Sequence, residues 1–160
     1  MLESMLHGFK MDPQRYPDIA YLVYNRLLRE TPTATVRCDP NLNVLGQYDN
    51  VQHVCKLRPN QGNYMLTVLG HELCHSMARH TPVTYMEEAR VELFELAFSK
   101  YLEQSLNEPF RLNLPDRSVL KPYESELLEL PVHTLLQYHH NIERTLQSFN
   151  VPESKYQQLY

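Results

Sequence analysis

The chain has 160 residues, 42% of them apolar and 21% charged, a balance that excludes disordered, collagen-like and solenoid classes. Lys and Arg total 15 against 19 Asp and Glu, a formal charge of −4, so no general attraction to nucleic acid or anionic membranes is expected. The length suits one core rather than two, and residues 1–160 are read as a single domain.

Residues 1–10 carry Glu3 where a secretion signal needs a base, and no sustained apolar core follows, so no export signal is expected. No run approaches the ~20 apolar residues that a membrane helix needs. Cys38, Cys55 and Cys74 are too few to staple a small scaffold and fit a reducing compartment. A cytoplasmic protein is expected; delivery as an effector would leave the same chemistry.

In chain order, Pro17 suits a first helical turn, and Ile19, Leu22, Val23 and Leu27 recur with helical spacing over residues 18–29. Three short β-rich pieces follow, residues 35–38, 44–48 and 51–57, broken by Asp39-Pro40-Asn41 and Asp49-Asn50; they predict a small antiparallel sheet. After a loop over 58–63, Asn63 is placed to cap a helix running from Tyr64 to about His80, with Leu66, Leu69, Leu73 and Met77 along one side. Thr84 and Glu87 form a capping-box pattern ahead of Val91, Phe94, Phe98 and Leu102, predicting a second long helix to about Ser105. Residues 107–122 read as irregular, residues 123–130 and 132–149 as two helices divided by Pro131, and 151–160 as a polar tail that frays or docks as a final turn.

Chemistry concentrates in His71-Glu72-Leu73-Cys74-His75, an HExxH pattern inside the first long helix. Residues i and i+4 share a helical face, so both imidazoles can converge on one Zn²⁺, while Glu72 is set to take a proton from a water activated by the metal and pass it to a leaving amine. The competing reading is an ordinary pair of core or surface histidines. Cys74 points about 100° away from its neighbour His75 and reads as a small buried side chain rather than a ligand. A catalytic zinc takes three protein ligands and keeps one open position, so a third ligand is needed. His80 falls on another face of the helix. Glu87, Glu88, Glu92 and Glu95 lie on the following helix, which a turn at residues 81–83 would fold back toward the motif. The alternative reading of these acids is a solvated stripe, because Glu88, Glu92 and Glu95 are spaced i, i+4, i+7.

Gly70-His71-Glu72-Leu73-Cys74-His75 followed by Glu88-Ala89-Arg90-Val91-Glu92-Leu93-Phe94 resembles the ImmA/IrrE-type metallopeptidases, in which HExxH precedes E-x-x-A-N-x-F; here Val91 and Glu92 stand for the Ala and Asn. The resemblance implies a zinc metallopeptidase acting on a protein substrate, with Glu88 in the third ligand position; among the other acids of that helix, Glu87 and Glu92 are the next candidates. The stretch from Val68 to His80 also resembles the motif helix of HtpX-like gluzincins, which implies a ligand from a later helix, here Glu124 or Glu126. SprT-like proteases share similar motifs, but their DNA-binding surface is basic, unlike this chain. An oxyanion donor could come from Tyr85, His133, Tyr138, His139 or His140, with no basis for choosing among them. An exposed edge strand within 44–57 could hold an extended peptide over the metal; the other reading is that the strands only cover the motif helix.

The expectation is therefore an α+β, zincin-like domain: a small antiparallel sheet on an HExxH helix with further C-terminal helices. Zn²⁺ would be bound by His71, His75 and Glu88, with Glu72 catalytic, and the partner would be a protein or peptide rather than nucleic acid. A non-catalytic zinc-binding or interaction domain is the alternative.

Overall fold

Pro17 lies in the first turn of helix α1 (Tyr16–Leu28), where its missing N–H costs no hydrogen bond. The structure, a computed structural model, describes residues 13–78 and 83–156. Helix α1 buries Ile19, Ala20, Val23 and Tyr24 and ends at Arg29, whose left-handed backbone (φ 60°) lets its N–H donate to the Asn25 carbonyl at 2.8 Å.

Strands β1 (Thr35–Cys38), β2 (Gly46–Asp49) and β3 (Val54–Leu57) follow. The sheet is mixed, which corrects the antiparallel expectation: the order is β1-β3-β2, with β1 parallel to β3 and β2 antiparallel to it. The reason is burial. Only β3 sends side chains fully into the core, Cys55 and Leu57, so it takes the middle place with a partner on each side. The chain leaving β1 skips that place, crosses over residues 39–45 and returns as β2. Asp39 accepts from the Asn41 N–H at 2.9 Å, and Arg58 donates from Nε to the Leu42 carbonyl at 3.1 Å, tying the crossover to the sheet. The third strand is shorter than expected because Asp49 accepts from Val51 and Gln52 N–H groups, making residues 50–53 a turn.

Helices α2 (Tyr64–Met77) and α3 (Tyr85–Leu106) carry the centre of the molecule. Asn63 does not cap α2 through its side chain; it instead donates to Glu108 Oε1 at 2.8 Å, tethering the start of α2 beyond the end of α3. Helix α2 ends at Met77, and His80 with the expected turn at 81 and 82 lies outside the described residues. Thr84 does cap α3, accepting from the Glu87 N–H at 3.0 Å. The Glu87 side chain turns elsewhere, so only half of the capping box forms.

Helix α3 is apolar on two sides. Val91, Phe94, Phe98 and Leu102 join α1, α2 and β3 in one buried cluster, while Ala89, Leu93, Leu96 and Ala97 join a second with Leu114, Leu120, Leu127, Leu135 and Leu146. Each fully buried Leu or Phe contributes roughly 1.5–3 kcal/mol, and α3 draws on both clusters. The second is built by α4 (Glu124–Leu128), α5 (Val132–His140) and α6 (Ile142–Ser148). The expected long final helix is split at Asn141, whose backbone is non-helical. The described part of the tail closes as a 3₁₀ turn at Glu153–Tyr156. Among the described residues no helix is long and apolar enough to cross a membrane.

Two glycines set the approach of elements to α2. A Cβ added to Gly70 would sit 3.1 Å from ring carbons of Phe98 on α3, and one added to Gly46 would sit 2.5 Å from Val68 Cγ1 and 3.2 Å from Glu72 Cγ. Gly46→Ala is therefore expected to push β2 off α2 and cost about 1–3 kcal/mol, seen as a lower urea midpoint. An unchanged midpoint would mean that this contact is not tight.

Candidate metal centre

The i, i+4 spacing on α2 puts the His71 and His75 rings side by side, 4.9 Å between centroids. From the first turn of α3, Glu88 reaches between them: Oε1 lies 3.0 Å from His75 Nε2 and Oε2 lies 3.7 Å from His71 Nε2. One donor atom from each of the three residues can be chosen so that all lie within 4.8 Å of one another. Buried Glu72 is next to them, its Oε2 4.0 Å from His71 Nε2.

The far nitrogens of both rings meet carboxylates as well. His71 Nδ1 is 2.7 Å from Glu95 Oε1, and His75 Nδ1 is 3.6 Å from Glu87 Oε1. Glu87 is itself held by Arg90, whose Nε and Nη2 donate to its two oxygens at 2.9 and 2.7 Å. Glu95 behind His71 fixes the proton on Nδ1 and leaves Nε2 for a cation, the arrangement found behind metal-binding histidines, while Glu87 stands behind His75 at ion-pair distance.

Electrostatics follow from this crowding. Burial alone would lower the His71 pKa, but the hydrogen bond to Glu95 and the charges of Glu72, Glu95 and Glu88 outweigh it and raise the pKa to about 10. His75 is raised against burial by Glu87 and Glu88. Burial works against ionised Glu88, yet the His75 hydrogen bond and the nearby charges of His75, His71 and Arg117 hold it below the usual range. Burial opposes ionised Glu87 too, but Arg90 and His75 overcome it and bring its pKa down to about 2. Glu72 is pushed up by burial, only partly offset by the two imidazoles.

The other candidate ligands go elsewhere. Glu87 lies on the Nδ1 side of His75, away from Glu88's shared position. Glu92 is buried and accepts from Ser118 Oγ at 2.6 Å; burial raises its carboxyl to about 7. Glu124 accepts from the Leu114 N–H and pairs with Lys121 at 3.1 Å, and Glu126 is exposed. Cys74 is buried against Arg90, with its thiol pushed up to about 12 chiefly by that burial. The acids of α3 are not a solvated stripe, because Glu88, Glu92 and Glu95 all turn inward.

Above the histidines opens a cleft of about 640 Å³, walled by β2 and its approach on one side and by the segment after α3 on the other. None of Tyr85, His133, Tyr138, His139 or His140 lines it; Tyr85 lies on a small adjoining cavity with Glu92 and Ser118. His139 is buried, its Nδ1 donates to the Arg90 carbonyl at 2.8 Å, and burial lowers its pKa to about 4. The cleft instead holds Tyr48, Tyr64, Arg111 and Arg117, which no motif marks. Glu95, named in the sequence among the four acids of the following helix that could turn toward the metal, stands instead behind His71 at Nδ1. Compared with protein-family models, with curated proteins and with solved structures, the chain matches none of them.

If the centre binds Zn²⁺, loading must displace Nε2 protons from His71 and His75. Affinity is expected to rise with pH through the neutral range toward the His71 pKa, by about tenfold per pH unit for each proton displaced. Calorimetry in buffers of different ionisation enthalpy would read the protons released; no release at pH 7 would contradict the arrangement. His71→Ala, His75→Ala and Glu88→Ala should each abolish stoichiometric binding, and Glu95→Gln should weaken it by about 10–100-fold.

Proposed function

We propose that this chain is a zinc-dependent peptidase with a zincin-like α+β architecture. The observation that carries the reading is the position of Glu88 between two Nε2 atoms whose rings are each backed by a second carboxylate, at the floor of an open cleft. His71, His75 and Glu88 would hold the ion, the donor set that catalytic zinc sites use. Zinc bound there would polarise the scissile carbonyl and make water a nucleophile near neutral pH.

Glu72 is the general base. Its carboxylate takes the proton of the attacking water and returns it to the leaving nitrogen, and its raised pKa suits both transfers. Gly46 lets β2 pass directly over the Glu72 side chain. Because β2 is an edge strand and lines the cleft, an extended peptide can pair with it and be held beside Glu72. The resemblance to ImmA/IrrE-type enzymes supports the same assignment of Glu88 and a cytoplasmic protein substrate.

The test is hydrolysis of a quenched-fluorescent peptide library by the zinc-loaded protein beside Glu72→Gln. The variant should keep its zinc and lose roughly 10²–10⁴-fold in rate. A zinc-loaded wild type that cleaves no member, or a Glu72→Gln variant that cleaves as the wild type does, would sink the reading.

A further inference from the structure

The wall of the cleft opposite β2 carries positive charge, of which Arg117 already acts on Glu88 and Arg111 makes no contact with the metal centre. Arg111 and Arg117 are the lysine or arginine side chains among the described lining residues, and both are exposed. Arg111 lies over the Tyr64 ring, 5.1 Å from its centre, and Nε donates to Asn113 Oδ1 at 2.8 Å. Its Nη groups have no hydrogen bond or ion pair among the described residues, and Arg117 has neither among them. Arginines whose terminal guanidinium N–H groups make no hydrogen bond or ion pair among the described residues are placed to hold an anion, and the planar guanidinium matches a carboxylate in two-point fashion.

The segment that presents them is anchored. Buried Ser118 donates to Glu92 at 2.6 Å and accepts from the Leu120 N–H at 3.1 Å, while Lys121 donates to the Leu114 carbonyl at 2.9 Å. An ordered wall loses little entropy on binding. The floor, by contrast, is lined by Glu72, Glu87, Glu88 and Glu95, and left alone it would favour cationic peptides. The arginines place positive charge on the side away from β2.

We propose that Arg111 and Arg117 select peptides bearing a carboxylate, seated on this wall while the backbone runs along β2. The inference rests on the peptidase reading and names its substrate class. The carboxylate could be an acidic side chain or the peptide's C-terminus.

The test is fluorescence anisotropy with Glu72→Gln, supplied with zinc, and three rhodamine-labelled peptide pools on one scaffold. The first carries Asp and Glu with an amidated end, the second carries Asn and Gln with an amidated end, and the third is the second with a free C-terminal carboxylate. The first pool should bind about tenfold more tightly than the second, and the gap should shrink as salt is raised. It should close in Arg111→Ala/Arg117→Ala and invert toward Lys-containing peptides in Arg111→Glu/Arg117→Glu, with circular dichroism confirming that these exposed substitutions leave the fold intact. Tighter binding of the third pool than the first, lost in the same variants, would support the C-terminus as the source. Equal binding of all pools, no binding of any, or a gap indifferent to the arginines would overturn the proposal. Zinc content measured on the same samples separates the two ideas: bound zinc without a gap fails the selector alone, and an arginine-dependent gap without zinc fails the metal reading alone.

Discussion

The arrangement of α2 against α3 depends on one electrostatic constraint: acids on α3 pack against histidines on α2, and each set lowers the cost of withdrawing the other from water. Glu87, Glu88 and Glu95 each meet an imidazole nitrogen. Removing a carboxylate from water costs several kcal/mol unless a cation and hydrogen bonds replace the solvent. Here imidazolium protons and Arg90 supply that replacement, and a divalent ion would supply it more fully. The apolar packing of Phe94 and Phe98 and the close approach at Gly70 bring the helices near enough for these contacts. The polar seam then fixes their rotation about one another, which oily packing alone leaves loose.

Local features of the fold were legible in the sequence. Helix α1, strand β1, the start of α2 and the Thr84 cap on α3 depend on neighbours within a turn or two, and each lies at or within two residues of where periodicity and turn residues put it. Strand order was not legible, because the apolar alternation of Val54–Leu57 marks a buried strand without recording which strands flank it. The break at Asn141 also escaped, since residues on both sides have helical spacing and no Pro or Gly marks it.

The centre divides along the same line. His71, Glu72 and His75 could be read because their geometry belongs to a single helix. Glu88 could be named only through resemblance, because an i, i+4, i+7 acid row has the same pattern whether it faces water or a histidine pair. Glu92 shows the ambiguity: it shares that row, yet its partner is Ser118, distant in sequence and in a stretch that reads as irregular. Arg111 and Arg117 lie in the same stretch and become meaningful only when the chain folds back over the cleft.

A structural zinc and a catalytic one differ in whether a fourth protein ligand closes the coordination shell. Around the proposed centre, four of the described side chains that could take that fourth place are engaged elsewhere. Cys74 is held by Arg90 as a neutral thiol, Glu87 forms a two-point pair with the same arginine, Glu95 sits behind His71, and Glu92 accepts from Ser118. Recruiting any of them would break a buried hydrogen bond and leave its partner unpaired, a cost of about 1–3 kcal/mol or more. Among the described residues, the Nε2 atoms are approached through the cleft, bordered by an edge strand and two arginines. An ion held by His71, His75 and Glu88 would therefore keep its last position toward the side from which a peptide can enter, with Glu72 beside it.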